Sequence, residues 1–227
     1  MGNLLLDLLF PRRCVGCGRV GDYICPSCHK TIILRYQLCP ECDRPAIDGL
    51  THPRCLRPQG LDGLTSVWRY FGVVKKTIKQ IKYSFVWDMA ETLISLMPDS
   101  IWLGLRRVPS STVIYPVPLH PNRLNWRGFN QAEKLGRLLS PRLDLPLVDG
   151  LLLRQAKRTP QADIAKRENR IQNAKGLFQV NQLTIHNYQQ SILLLDDVWT
   201  TGATMKEAAK VLKRGGVGKV WGITVAR

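Results

Sequence analysis

The chain of 227 residues carries 33 Lys and Arg against 17 Asp and Glu, a net charge of +16, and 44% of its residues are hydrophobic. That supplies a core for one ordinary domain plus a small module, and no apolar run reaches the roughly 20 residues that a membrane-spanning helix needs. Residues 1–60 hold eight basic and five acidic side chains, so residues 61–227 carry +13 of the total. A field of that sign favours polyanions such as nucleic acid or phosphorylated metabolites.

Residues 1–10 are apolar but broken by Asp7. With no basic leader and no small-residue cleavage site, they read as an N-terminal helix that packs on the body or on a partner, and not as a signal peptide. All seven cysteines follow, between Cys14 and Cys55. An odd number in C-x-x-C pairs fits a disulfide framework poorly and points to metal in a reducing compartment. Four pairs succeed one another: Cys14 and Cys17, Cys25 and Cys28, Cys39 and Cys42, His52 and Cys55. Eight ligands suffice for two tetrahedral Zn²⁺ sites, because a two-residue gap lets one tight turn offer two ligands to one ion. The short gaps favour sequential sites, Cys14, Cys17, Cys25 and Cys28 for one ion and Cys39, Cys42, His52 and Cys55 for the other. A cross-braced pairing stays open, and His29 is a rival ligand. As thiolates with two zinc ions, this segment becomes about neutral, and closed four-ligand sites are structural.

Pro58, Gly60 and Gly63 suggest a linker, dividing a zinc module of residues 1–60 from a second domain of residues 61–227. In the second domain the spacing predicts a strand over Val67–Phe71 and a helix over Val74–Tyr83 with Ile78 and Ile81 inward. Lys75, Lys79 and Lys82 then share a solvated face. A helix over Trp87–Met97, a strand over Thr112–Val117, a polar loop over Arg123–Gly128 and a helix over Phe129–Leu139 come next. Gln161–Asn173 reads as loop then helix, and Leu177–Val180 as a strand. A strand over Ser191–Leu195, a helix over Thr201–Arg214 stopped by Gly215 and Gly216, and a strand over Val220–Val225 complete the chain. Strands alternating with helices predict an α/β domain with a parallel sheet.

The stretch from Ile192 to Thr204 carries the most chemistry. A buried strand ends in Asp196 and Asp197, and Thr200, Thr201, Gly202, Ala203 and Thr204 then open a helix. Small side chains let several backbone N–H groups converge on one anion at a helix N-terminus, with threonine hydroxyls as further donors. Two carboxylates before such a loop suit the hydroxyls of a ribose attached to the bound phosphate, and they balance positive charge on an oxocarbenium-like sugar. The chain has no G-x-x-x-x-G-K-[ST] loop, and Gly216-Val-Gly218-Lys219 lacks that spacing.

Asp196–Thr204 resembles the phosphoribosyl pyrophosphate (PRPP) motif of type I phosphoribosyltransferases. With Pro116-Val-Pro118-Leu-His-Pro-x-Arg123, Arg127-Gly-Phe-Asn130-Gln131-Ala, Arg158-Thr-Pro-Gln161, Arg170-x-x-Asn173, Phe178 and the paired cysteines, the chain resembles the ComF family, which is linked to natural competence. The resemblance implies a type I phosphoribosyltransferase-like parallel sheet with helices on both faces behind a double zinc ribbon. It places the 5′-phosphate on Thr200, Thr201, Gly202, Ala203 and Thr204, and the ribose on Asp196 and Asp197, which double as catalytic groups. Pyrophosphate with Mg²⁺ would face the loop at Pro118, and Arg123 and Arg127 would lie in a mobile loop over the site. Trp199 is a bulky neighbour that would narrow the pocket, and His52 departs from an all-cysteine pattern. Three functions stay open: a PRPP-binding protein of DNA uptake that contacts single-stranded DNA, an active phosphoribosyltransferase, and a zinc-ribbon adaptor for a DNA-uptake helicase or channel. The implied location is the cytoplasm, with recruitment to the inner face of the membrane left open.

Overall fold

The computed structural model describes residues 11–83, 88–105, 108–155, 174–185 and 191–227. The expected N-terminal helix, Trp87, and the segment Arg158 to Asn173 lie outside them. A four-stranded, all-parallel sheet forms the centre, in the order β1 (Gly63–Trp68), β6 (Lys219–Ala226), β5 (Ser191–Val198), β2 (Thr112–Pro116). The edge beyond β2 is extended at Leu147, which bridges to Ile114 in parallel. Residues Ile192 to Leu195 are buried, as expected of a strand covered on both faces.

Beyond β1, the sequence places three helices: α2 (Gly72–Tyr83), α3 (Asp88–Ser95) and α4 (Asp99–Leu105). The last was not foreseen, since Pro98 reads as a terminator; it instead precedes a new first turn. After β2 come α5 (Pro121–Arg127) and α6 (Gln131–Leu143), and α7 (Ala203–Arg214) joins β5 to β6. Two apolar clusters lie on opposite sides of the sheet. One gathers Val74, Ile78, Leu93 and Leu135 from α2, α3 and α6; the other gathers Met205, Ala208 and Leu212 from α7. The chain is thus α/β, with helices on both faces of a parallel sheet.

Three elements differ from the expected ones. β1 begins at Gly63 because Thr65 and Ser66, polar on paper, are buried and bonded. Ser66 Oγ lies 2.9 Å from Thr224 Oγ1, and Trp221 Nε1 donates to Thr65 Oγ1 at 3.0 Å. Arg123–Gly128 is mostly helix, not loop. Asn122 N donates to the His120 ring, Pro121 stands in the first turn, and Gly128, at φ 72°, closes the helix with its N–H on Leu124 O. Its surface side chains show no apolar period, so that signal was masked. Finally, β4 (Phe178–Val180) pairs antiparallel with β3 (Leu152–Arg154) in a separate two-stranded hood. The Tyr115 hydroxyl ties β2 to that hood by accepting from Leu152 N at 2.9 Å.

The ribbon docks along the free edge of β1. Arg35 N donates to Val67 O, Arg69 N donates to Ile33 O, and Gln37 brackets the Ser66 peptide with bonds of 3.0 Å in both directions. A short helix, α1 (Pro26–His29), follows Cys25 inside the ribbon. Among the described residues no helix is long and apolar enough to cross a membrane.

Candidate functional site

The eight paired ligands come together in two sequential groups, Cys14 with Cys17, Cys25 and Cys28, and Cys39 with Cys42, His52 and Cys55. Within each group the ligand atoms all lie within 4.8 Å of one another. A tetrahedron with Zn–S bonds of about 2.3 Å has edges of roughly 3.8 Å, and Cys17 Sγ to Cys25 Sγ measures 3.7 Å. The donor set and spacing therefore fit structural zinc, and the arrangement is not cross-braced. His29 lies outside both groups. His52 is oriented for the role: Nδ1 lies 3.3 Å from Cys42 Sγ, while Nε2 lies 3.0 Å from the Pro45 carbonyl, which fixes the tautomer that leaves Nδ1 free for metal. Burial opposes ionisation of Cys14, but the backbone amides of Cys25, Cys17 and Gly16 bring its thiol down to about 6. Such amides stabilise a metal-bound thiolate equally well.

At the C-terminal end of the sheet, β5 delivers Asp196 and Asp197, and the chain turns through Thr200 to Thr204 into α7. A small recess here is lined by Asp196, Trp199, the five loop residues and Thr224. Gly202 sits at φ 72°, and a Cβ on it would fall 2.1 Å from the Trp199 ring, so only glycine fits the turn. Thr201 Oγ1 accepts from Ala203 N, closing the loop locally. Trp199 does not project into solvent; it is 5% exposed and lies beneath the loop. Arg227 and Lys206 approach the ring at 5.1 and 5.8 Å from its centroid.

The carboxylates are not equivalent. Asp197 is paired with Lys82, whose Nζ lies 2.7 Å from Oδ2. Lys82 thus belongs to the site and not to the solvated face of α2, because the last turn of the helix points at β5. Burial, then the neighbouring Asp197 charge, pushes the Asp196 carboxyl up to about 7, against the Asp197 N–H and the Lys82 and Arg154 charges.

Arg154 was not foreseen, since no motif marks the Leu151–Arg154 run. Its Nη1 donates to Pro118 O at 2.6 Å, and its guanidinium lies 5.3 Å from the centroid of the Phe178 ring. Burial, with the Arg123 charge next, lowers its pKa, and Asp196 pulls the other way. Arg154 therefore shares one electrostatic neighbourhood with Arg123, Pro118 and Asp196. Arg127 is buried, contrary to a surface role, and lies 5.2 Å from the Tyr83 centroid and 5.9 Å from that of Trp126. Tyr83 and Trp126 meet edge to face at 5.8 Å, and both are exposed. Arg123 is exposed on α5. Asn130 explains the R-G-F-N-Q motif: its side chain caps α6 by accepting from Ala132 N and donates to Val117 O. A roomier recess, bounded by Glu133, Arg137, Asp149 and Thr184, contains none of these residues.

Known proteins match both the ribbon by itself and the chain as a whole. The double zinc ribbon domain family matches residues 5–56. DNA utilization protein YhgH of Escherichia coli O157:H7 is 31% identical over 202 residues, covering 87% of each chain. The chain belongs to the family of this DNA utilization protein. Competence protein F of Haemophilus influenzae is 28% identical over 227 residues, covering 96% of this chain and 98% of its own. Competence protein ComFC of Bacillus subtilis is 26% identical over 229 residues, covering 91% and 85%. Family similarity therefore extends across ribbon and sheet together.

Proposed function

We propose that the chain binds Mg·PRPP at the C-terminal end of β5 and handles single-stranded DNA during competence and DNA uptake. One observation carries the reading: the paired carboxylates of Asp196 and Asp197 run directly into a small-residue loop capping α7, over a recess that Thr200 to Thr204 line. Phosphate suits the helix N-terminus and the converging amides, and ribose hydroxyls suit the two acids. Arg154 supports the pyrophosphate half. It has a buried Nε with no hydrogen-bond partner among the described residues, and a polyanion beside Pro118 would draw on that donor. The ligand's own pyrophosphate would hold Mg²⁺, with the acids nearby.

The DNA half rests on the exposed pair Tyr83 and Trp126 beside Arg127, flanked by Lys75, Lys76 and Lys79 along α2. Aromatic faces beside cations suit unpaired bases and their phosphates. The names of the relatives, competence and DNA utilization proteins, agree with that use.

Release of pyrophosphate from Mg·PRPP, measured with a panel of nucleobases and with single-stranded DNA, tests the reading. Saturable binding without turnover leaves PRPP as a regulator, whereas turnover with one acceptor makes the chain a phosphoribosyltransferase. No PRPP binding up to millimolar concentration would overturn the PRPP reading and leave the zinc-ribbon adaptor.

A further inference from the structure

The second zinc knuckle, Cys39-Pro40-Glu41-Cys42-Asp43, touches the far domain through the two side chains that flank Cys42. Glu41 Oε2 lies 3.1 Å from Lys206 Nζ, and the Asp43 carboxylate bonds the Arg227 guanidinium. Those two cations are the ones that bracket the Trp199 indole. Trp199 is buried, its backbone N–H donates to Ala226 O at 2.8 Å, and its ring fills the space that a Cβ on Gly202 would need. The contacts thus run unbroken from knuckle to acids, to cations, to indole, to loop. The knuckle itself is a tight turn: Asp43 N donates to Cys39 O, Cys39 N donates to Arg44 O, and Asp43 is held at φ 59°. An ion on Cys39 and Cys42 would lock that turn, and with it the direction of both acids.

We infer that Glu41 and Asp43 are positioning residues for the phosphate loop, so that metal in the second ribbon site sets the rigidity of the anion cradle more than 150 residues away in sequence. Among the described residues the first zinc site meets α2 and not the Trp199 loop. Its Gly16 carbonyl accepts from Lys76 and its turn packs on Val73, both on α2. Zinc in this protein would therefore have one structural site and one site coupled to ligand binding. The effect on PRPP affinity rests on the function proposed above; the mechanical coupling does not.

The test uses the full zinc-loaded chain. In the Glu41→Gln/Asp43→Asn double variant, shape and zinc content are kept while both ion pairs are lost. Amide hydrogen exchange at residues 199–205 is expected to quicken at least tenfold, with Ile192 to Leu195 unchanged, and PRPP affinity is expected to fall about tenfold. The charge-reversed pair Glu41→Lys/Lys206→Glu should recover slow exchange that Lys206→Glu alone loses, which a general loss of stability would not allow. Unchanged exchange at 199–205 in the double variant would overturn the proposal. A rise in PRPP affinity would also overturn it, because the acids would then act only as counter-charges to Lys206 and Arg227. Wild-type protein that binds no PRPP would end the PRPP reading alone, and exchange would still decide the coupling.

Discussion

Lys82 Nζ sits 2.7 Å from Asp197 Oδ2, so the last turn of α2 neutralises one of two adjacent carboxylates at the end of β5. Lys82→Met removes that partner and leaves two acids facing each other. Removing one member of a well-buried pair costs several kcal/mol; both of these side chains retain some solvent, so a loss of about 1–2 kcal/mol is expected. Denaturant unfolding at pH 8 measures it, and adding Asp197→Asn should restore most of the loss.

The pH dependence of stability follows from Asp196. Its carboxyl is raised to about 7 in the folded chain, against about 4 when unfolded. Between these values the folded state binds more protons than the unfolded one, so stability falls as pH rises from about 4 to about 7. Thermal unfolding should therefore show a lower Tm at pH 8 than at pH 5. Asp196→Asn should flatten that profile and raise the Tm at pH 8, whereas an unchanged slope would assign the titration elsewhere.

Elemental analysis is expected to return two zinc ions per chain, one for each ligand group. His52→Ala should lower the content toward one, since it removes a ligand from the second group alone. Replacing Pro45 would leave the zinc count at two but weaken retention against a chelator if its carbonyl is altered in position, because the His52 Nε2 contact orients the ring.

Mg·PRPP should change the intrinsic fluorescence, since Trp199 lies beneath the loop and Trp126 stands exposed near Arg127. Asp196→Asn/Asp197→Asn should weaken binding at least roughly tenfold, because charge-assisted hydrogen bonds contribute about 1.5–3 kcal/mol each. Gly202→Ala should abolish binding, as its Cβ and the Trp199 ring cannot both be accommodated. Calorimetry gives the affinities directly.

Binding of single-stranded DNA should weaken steeply with salt. Trp126→Ala should cost about 1–3 kcal/mol without altering the salt slope, whereas Arg123→Ala should lower the slope by about one. Equal affinity for the Trp126 variant would remove the stacking surface from the proposal. Deleting residues 1–60 should destabilise the second domain, because Arg35, Gln37, Glu41 and Asp43 all bond to it.

The sequence by itself determined what depends on neighbours along the chain. Cysteine spacing fixed the four ligand pairs, because a metal knuckle is built within four residues, whereas only the folded ribbon decided that the pairs group sequentially. The run from Ile192 to Thr204 fixed a strand, an acid pair and a helix cap, because each is a local backbone preference. Only the tertiary structure decided which distant side chains complete these local pieces. Lys82 looked solvated because helical periodicity records which face is apolar, not which charge lies opposite its polar edge. Arg154 carried no motif because its place depends on β3 pairing with β4 above Pro118. Glu41 and Asp43 carry no motif of their own, and only the docking of the ribbon on β1 brings them to Lys206 and Arg227. Ion pairs across such separations leave no periodic trace, since their geometry is set by how whole elements pack.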